Sequence, residues 1–161
     1  MPRGSLKIQF DVKQSPQEVF DAVTNVAAWW GKGIIGSSDK LGSTFTYRHK
    51  DIHLTTQVVT ELVPAKRLGW KIADCVLAFV EDKSEWNGTE VVFAISRKDG
   101  KTRLTFTHKG LTPKLECYDA CSGGWGYYVG GSLKSLITKG KGTPDPVSFA
   151  RPKAKRSSGR T

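Results

Sequence analysis

Hydrophobic residues occupy every second position at the start of the chain. Leu6, Ile8, Phe10 and Val12 share one parity, with Lys7, Gln9 and Asp11 between them. That alternation predicts a strand with one buried face. The period changes in "QSPQEVFDAVTN". Ser15 is placed to N-cap a helix, Pro16 suits its first position, Glu18 completes a capping box, and Val19, Phe20 and Val23 form its apolar stripe. Asn25 is placed to cap a second short helix, "VAAWW", which Gly31 ends. Alternation then returns. Phe45 and Tyr47 alternate in "STFTYRHK"; "HLTTQVVTEL" is rich in Thr and Val and Pro64 breaks it; Leu68, Trp70 and Ile72 share a face in "RLGWKIADCVLAFV". "EWNGTEVVFAIS" opens on an Asn-Gly turn signal and alternates Val91, Phe93 and Ile95. Asp99-Gly100 marks a hairpin into "TRLTFTHKGL", where Leu104, Phe106 and His108 align. After Pro113 the helical period returns, with Tyr118, Cys121, Trp125, Val129, Ser132, Leu133, Leu136 and Ile137 at spacings of three and four. One strand, two short helices, a meander of strands and one long helix predict an α+β fold with an antiparallel sheet. No internal repeat is visible.

The long helix carries Gly123, Gly124, Gly126, Gly130 and Gly131 on or beside that stripe. Each glycine costs a helix roughly 1 kcal/mol relative to alanine, so packing must hold this one in place. Glycine lets two backbones approach or leaves room where a side chain would stand. Spacing alone leaves open whether the helix packs closely on the sheet or spans a hollow at mid-length.

Composition narrows the class. The 161 residues fit one domain, and 38% hydrophobic content with five tryptophans describes a globular chain. The longest uncharged stretch, Ala120 to Leu133, is 14 residues and Gly-rich, too short for a membrane span. The first residues show no apolar signal core, and three cysteines then read as reduced thiols in a cytoplasmic protein. The net charge of +10 is unevenly spread: eighteen basic residues face fourteen acidic ones up to Thr138, and seven face Asp145 alone from Lys139 onward. Over half of the excess therefore lies at the C-terminal end, which argues against a specific nucleic-acid surface. The expected organisation is a domain over residues 1–142 and a basic, disordered tail over 143–161 that makes weak anionic contacts.

Several segments together resemble a known superfamily. "SPQEVFDAVTNVAAWW", "VTELVPAKRLGW", "TRLTFTHKGL" and "GWGYYVGGSLKSLI" occur in an order similar to the SRPBCC (START-like, Bet v 1-like) proteins, and among them to the group related to the activator of Hsp90 ATPase. "EWNGTEVVFAIS" and "ECYDACSGGWGYYVGGSLKSLITKGKGTP" are similar to a narrower bacterial branch. The resemblance covers roughly Leu6 to Pro144. It implies a helix-grip fold: a curved antiparallel sheet wrapped around a long C-terminal helix, commonly with an apolar cavity between them. It implies no shared catalytic set. The additional N-terminal domain of the full co-chaperone is outside the resemblance, so Hsp90 ATPase stimulation is not expected.

Candidate chemistry is sparse. Cys117 and Cys121, joined by Cys75 and a histidine, have the donors for zinc, but no CxxC pair is present, and the expectation is no metal and no cofactor. His49 and His53 flank an expected hairpin at Lys50-Asp51 and are expected at the surface. "GKGIIG", Gly31 to Gly36, reads as a flexible loop that can act as a lid. Aromatic residues are the strongest signal. A pocket for a small apolar molecule needs aromatic walls and a few polar groups. The candidate ligand-binding set is Trp30, Phe45, Tyr47, Trp70, Phe93, Phe106, His108, Trp125, Tyr128 and Val129; Phe79 and Trp86 add to the aromatic count, and Glu61 is a further polar candidate. The first expectation is binding of a small hydrophobic or amphipathic ligand without obligatory catalysis. The alternatives are a cyclase- or hydratase-like enzyme using His108 and Tyr47 for proton transfer, and an interaction module with a chaperone partner. A homodimer is open on either view.

Overall fold

The computed structural model describes residues 6–49, 53–77, 86–112 and 118–144. The hairpin at Lys50-Asp51, Phe79, Pro113, Cys117 and the chain after Pro144 lie outside them, as do the side chains of His49 and His53. Among the described residues the strands are β1 (Leu6–Val12), β2 (Ile35–Gly36), β3 (Thr44–His49), β4 (His53–Val63), β5 (Arg67–Leu77), β6 (Glu90–Lys98) and β7 (Lys101–Lys109). They form one curved antiparallel sheet in the order β1-β7-β6-β5-β4-β3-β2. Two short helices, α1 (Pro16–Thr24) and α2 (Val26–Trp29), follow β1, and a rod over Tyr118–Lys139 closes the fold.

Local chemistry starts these elements where the sequence predicts. The Glu18 N–H donates to Ser15 Oγ at 3.2 Å, and the Ser15 N–H donates to the Glu18 carboxylate at 2.9 Å. Such a cap contributes about 1 kcal/mol. Asn25 separates α1 from α2, but its side chain makes no capping bond. Asp99 (φ 51°) and Gly100 (φ 80°) are both left-handed, the requirement of a two-residue hairpin, and Lys98 pairs with Lys101 across it. The expected loop at Gly31–Gly36 ends instead as β2, which pairs with β3. Two paired residues are too few to carry an alternation, so the pattern could not show it.

The concave face is built in rows across the strands. Leu62, Leu68, Phe93, Phe106 and Ile8 pair in series. Val59, Trp70, Val91, His108 and Leu6 form the next row, then Phe45, Gln57 and Ile72, then Tyr47, Thr55 and Cys75. Two register shifts, between Thr56 and Gln57 and between Val59 and Glu61, bracket the middle of the β4–β5 ladder. They arise at Ala73 and Thr60, the residues left without a partner in the ladder. Inward parity therefore passes from Ile72 to Cys75 on β5 and from Val59 to Leu62 on β4.

The rod is not a plain α-helix. Tyr118–Trp125 (α3) and Lys134–Lys139 (α4) flank a π-helical segment over Gly126–Leu133. Its buried stripe, Cys121, Trp125, Val129, Leu133 and Ile137, repeats every four residues. In an α-helix four residues overshoot one turn by about 40°, so a strict four-residue stripe would wind off the sheet. Wider π turns with i→i+5 bonds cancel that drift. Beside Gly123, Gly124, Gly126 and Gly131 an added Cβ would meet nothing within 4 Å, and beside Gly130 only Ile8 Cγ2 at 4.0 Å. Close backbone approach is therefore not why these glycines are there. Three of them fall in the π segment, where the backbone departs from α geometry.

Candidate functional site

All members of the candidate set except Tyr128 are buried, and Tyr128 is half-buried. Most of them meet through ring contacts. Phe45 lies against Trp70 (5.0 Å between ring centres), Trp70 against Phe93 (5.2 Å), Phe93 against Phe106 (5.2 Å), and Phe106 against Trp125 on the rod (4.8 Å). Trp125 meets Trp30 (5.0 Å), and Trp30 stacks on Tyr47 (4.2 Å, planes 15° apart). Trp29, Trp30 and Trp70 stack nearly parallel, and Trp86 stacks on Trp125 at 5.7 Å. Gly31 makes room for this arrangement: a Cβ there would stand 2.9 Å from Tyr47 Cε1. These rings line the space between sheet and rod.

Three sets of polar groups line the interior beside these rings. The Tyr47 and Tyr128 hydroxyls meet at 3.2 Å, joining β3 to the π segment at a half-buried seam. His108 is wholly buried; its Nδ1 accepts from Trp125 Nε1–H at 3.0 Å, and its Nε2 lies 2.9 Å from Thr89 Oγ1. Thr89 donates its hydroxyl hydrogen to the Trp86 carbonyl at 2.6 Å. The indole hydrogen occupies Nδ1, so the His108 ring carries its own hydrogen on Nε2 and donates it to Thr89. The third set is Thr55 and Gln57. Both are wholly buried, and the Gln57 amide donates to Thr55 Oγ1. Gln57 Oε1 and Trp70 Nε1 are buried without a hydrogen-bond partner.

Glu61, a candidate by sequence, stands outside. Its carboxylate takes Arg67 Nε at 2.9 Å, and both side chains are 40% exposed. The bulge at Thr60 turns it away from the inner face. Thr55, Gln57, Thr102 and Ser132 are buried polar residues outside the candidate set, and Thr89 is half-buried. Gln57 was findable: in "HLTTQVVTEL" it shares the parity of Val59. Ser132 accepts the Thr143 N–H and donates to the Trp29 carbonyl, both at 2.7 Å, fastening the rod to α2. Cys75 and Cys121 are buried. Among the described residues no three His, Cys, Asp or Glu side chains gather as metal ligands, and no helix is long and apolar enough to cross a membrane.

A curved sheet closed by one C-terminal rod, with two short helices after the first strand, defines the helix-grip class of α+β proteins. The profile of the family described as Activator of Hsp90 ATPase homolog 1-like protein matches residues 13–138, and the chain belongs to that family. Among solved structures it is similar to the Aha1 dimer from Colwellia psychrerythraea, at 26% identity over 86% of this chain and 98% of that one, with a TM-score of 0.69. Protein MLL2253 from Mesorhizobium loti is similar at 17% identity over 83% and 95% of the two chains, with a TM-score of 0.65. DynU16, a putative protein in the dynemicin biosynthetic locus, is similar at 21% identity over 88% of this chain and 49% of that one, with a TM-score of 0.63. The last two likenesses establish the fold alone. Comparison with curated proteins finds no match.

Proposed function

We propose that this protein binds a small, flat, amphipathic molecule between its sheet and its closing rod. The observation that carries this reading is the order of the inner rows. Phe93 and Phe106 lie in one, Trp70 in the next, Phe45 and Gln57 in the third, and Tyr47, Thr55 and Cys75 in the last. Polarity thus rises toward one end of an aromatic interior, which suits a ligand with an apolar body and a polar end. The half-buried Tyr47–Tyr128 seam is the way in. Titration with 2-naphthol and with 2-methylnaphthalene, followed by tryptophan fluorescence, is expected to give saturable quenching. Flat titrations with both, together with no co-purified small molecule in native mass spectra, would overturn the reading.

Binding without turnover is favoured over a cyclase or hydratase. Both His108 ring nitrogens are engaged by Trp125 and Thr89, and the ring contacts run from His108 through Trp125 and Trp30 before they reach Tyr47. A homodimer is the second reading. The similar Colwellia protein is a dimer, and here the short edge strand β2 presents Ile35 at 61% exposure with Leu41 nearby in the chain at 66%. Light scattering after gel filtration is expected to give twice the chain mass for wild type and the monomer mass for Leu41→Glu.

A further inference from the structure

Two atoms of the interior form a candidate recognition group. Gln57 on β4 and Trp70 on β5 both face inward, and both carry a hydrogen-bonding atom sealed from solvent without a partner: the acceptor Oε1 and the donor Nε1–H. Buried polar atoms are almost always paired in folded proteins. Two such atoms of opposite sense, on neighbouring strands, are a complementary pair. Val59 pairs with Trp70 and Gln57 pairs with Ile72, so Gln57 and Trp70 are diagonal neighbours, about 7–8 Å apart at Cβ or somewhat less. Their side chains therefore share one face of the sheet, with an acceptor on one and a donor on the other.

The Gln57 NH2 donates to Thr55 Oγ1, which leaves Oε1 as the free end of the amide. The backbone also singles out this spot. The two bulges of the β4–β5 ladder lie on either side of it, at Ala73 and Thr60, and bulges re-aim side chains beside binding sites. Around the pair the walls are flat and aromatic: Phe45 pairs with Gln57 across β3, and Trp29, Trp30, Phe45 and Phe93 surround the Trp70 ring.

We infer that Gln57 and Trp70 form a polar subsite that takes a hydroxyl group carried on a flat aromatic body, the hydroxyl donating to Gln57 Oε1 and accepting from Trp70 Nε1–H. This inference rests on the proposed ligand-binding function and adds to it the group that is recognised. Each half of the contact is made with an atom that otherwise pairs with nothing, so a ligand lacking the hydroxyl loses both.

The test compares 2-naphthol with 2-methylnaphthalene, which matches it in shape but cannot make these bonds. Wild type is expected to bind 2-naphthol at least about tenfold more tightly. In Gln57→Leu and in Trp70→Phe that preference is expected to fall to within about twofold, with 2-methylnaphthalene still bound. A parallel NMR titration of wild type reads the Trp70 Nε1–H resonance, which should move downfield with 2-naphthol and not with 2-methylnaphthalene; it needs no variant to fold. Equal binding of the two probes by wild type, or a preference that survives both substitutions, overturns the subsite and leaves the broader function standing. A Trp70 resonance that responds equally to both probes likewise overturns the subsite. Failure of wild type to bind either probe removes the broader function, and the subsite with it.

Discussion

Gln57 shows how a single residue can be costly at rest. A buried amide oxygen without a partner forgoes about 1–3 kcal/mol. Leucine is of similar size and has no such debt, although it gives up the bond to Thr55. Gln57→Leu is therefore expected to melt no lower than wild type in the absence of ligand, measured by calorimetry, while losing discrimination between hydroxylated and plain aromatics. That pairing is the usual mark of a residue kept for binding and not for stability. His108 is the opposite case. Its ring satisfies the Trp125 indole and the Thr89 hydroxyl, so His108→Leu strands the buried indole donor. The expected cost is about 2–3 kcal/mol, read from urea denaturation. A catalytic histidine would spare stability on replacement, so a loss below about 0.5 kcal/mol would speak against the structural role.

At the scale of elements, the rod is where sequence and structure part. Cys121, Trp125, Val129, Ser132, Leu133 and Ile137 were legible as its buried face because apolar spacing survives a change of helix type. The π geometry itself was not legible, since spacings of three and four are read as α by default; the strict four-residue recurrence was the available clue. The capping box at Ser15 and the Asp99-Gly100 turn were legible because a few neighbouring residues determine them. The bulges at Ala73 and Thr60 were not, because each depends on its partner strand. If α3 tolerates its glycines and does not need them, Gly123→Ala should stabilise by about 0.5–1 kcal/mol in urea titrations, since open space surrounds the position. Ser132→Ala should destabilise by about 1–3 kcal/mol, because it leaves the Thr143 N–H and the Trp29 carbonyl without that hydroxyl. At the free edge, Arg103 clamps Asp11 across the β1–β7 pair with bonds of 2.7 and 3.0 Å. That hydrogen bond, with the nearby positive charges, holds the Asp11 carboxyl below its usual range. A lowered folded-state pKa contributes stability above the unfolded value and loses it as pH falls through the folded one. Asp11→Asn should therefore trail wild type at neutral pH, and the gap should close in acid melts.

For the whole molecule, the α+β class with an antiparallel sheet followed from element order, the helix-grip arrangement from the resemblance to the SRPBCC proteins, and the aromatic interior from strand parity. What the sequence withheld was how the aromatics meet. Whether a helix-to-sheet gap is open or filled by rings depends on crossing geometry that no single strand encodes. The same limit hid Glu61, whose outward turn depends on a bulge, and Thr55 and Gln57, whose significance appears only once three strands lie side by side.

All five tryptophans lie in one stacked and tilted cluster, and that has an optical consequence. Indoles packed this tightly exchange excitation, so emission reports the assembly and not its members. Trp30 is central to the coupling, with its ring centre 6.1 Å from Trp29, 5.8 Å from Trp70 and 5.0 Å from Trp125. Far-ultraviolet dichroism of this protein should carry an aromatic band superimposed on the backbone signal, and Trp30→Phe should reduce that band while infrared amide spectra stay unchanged.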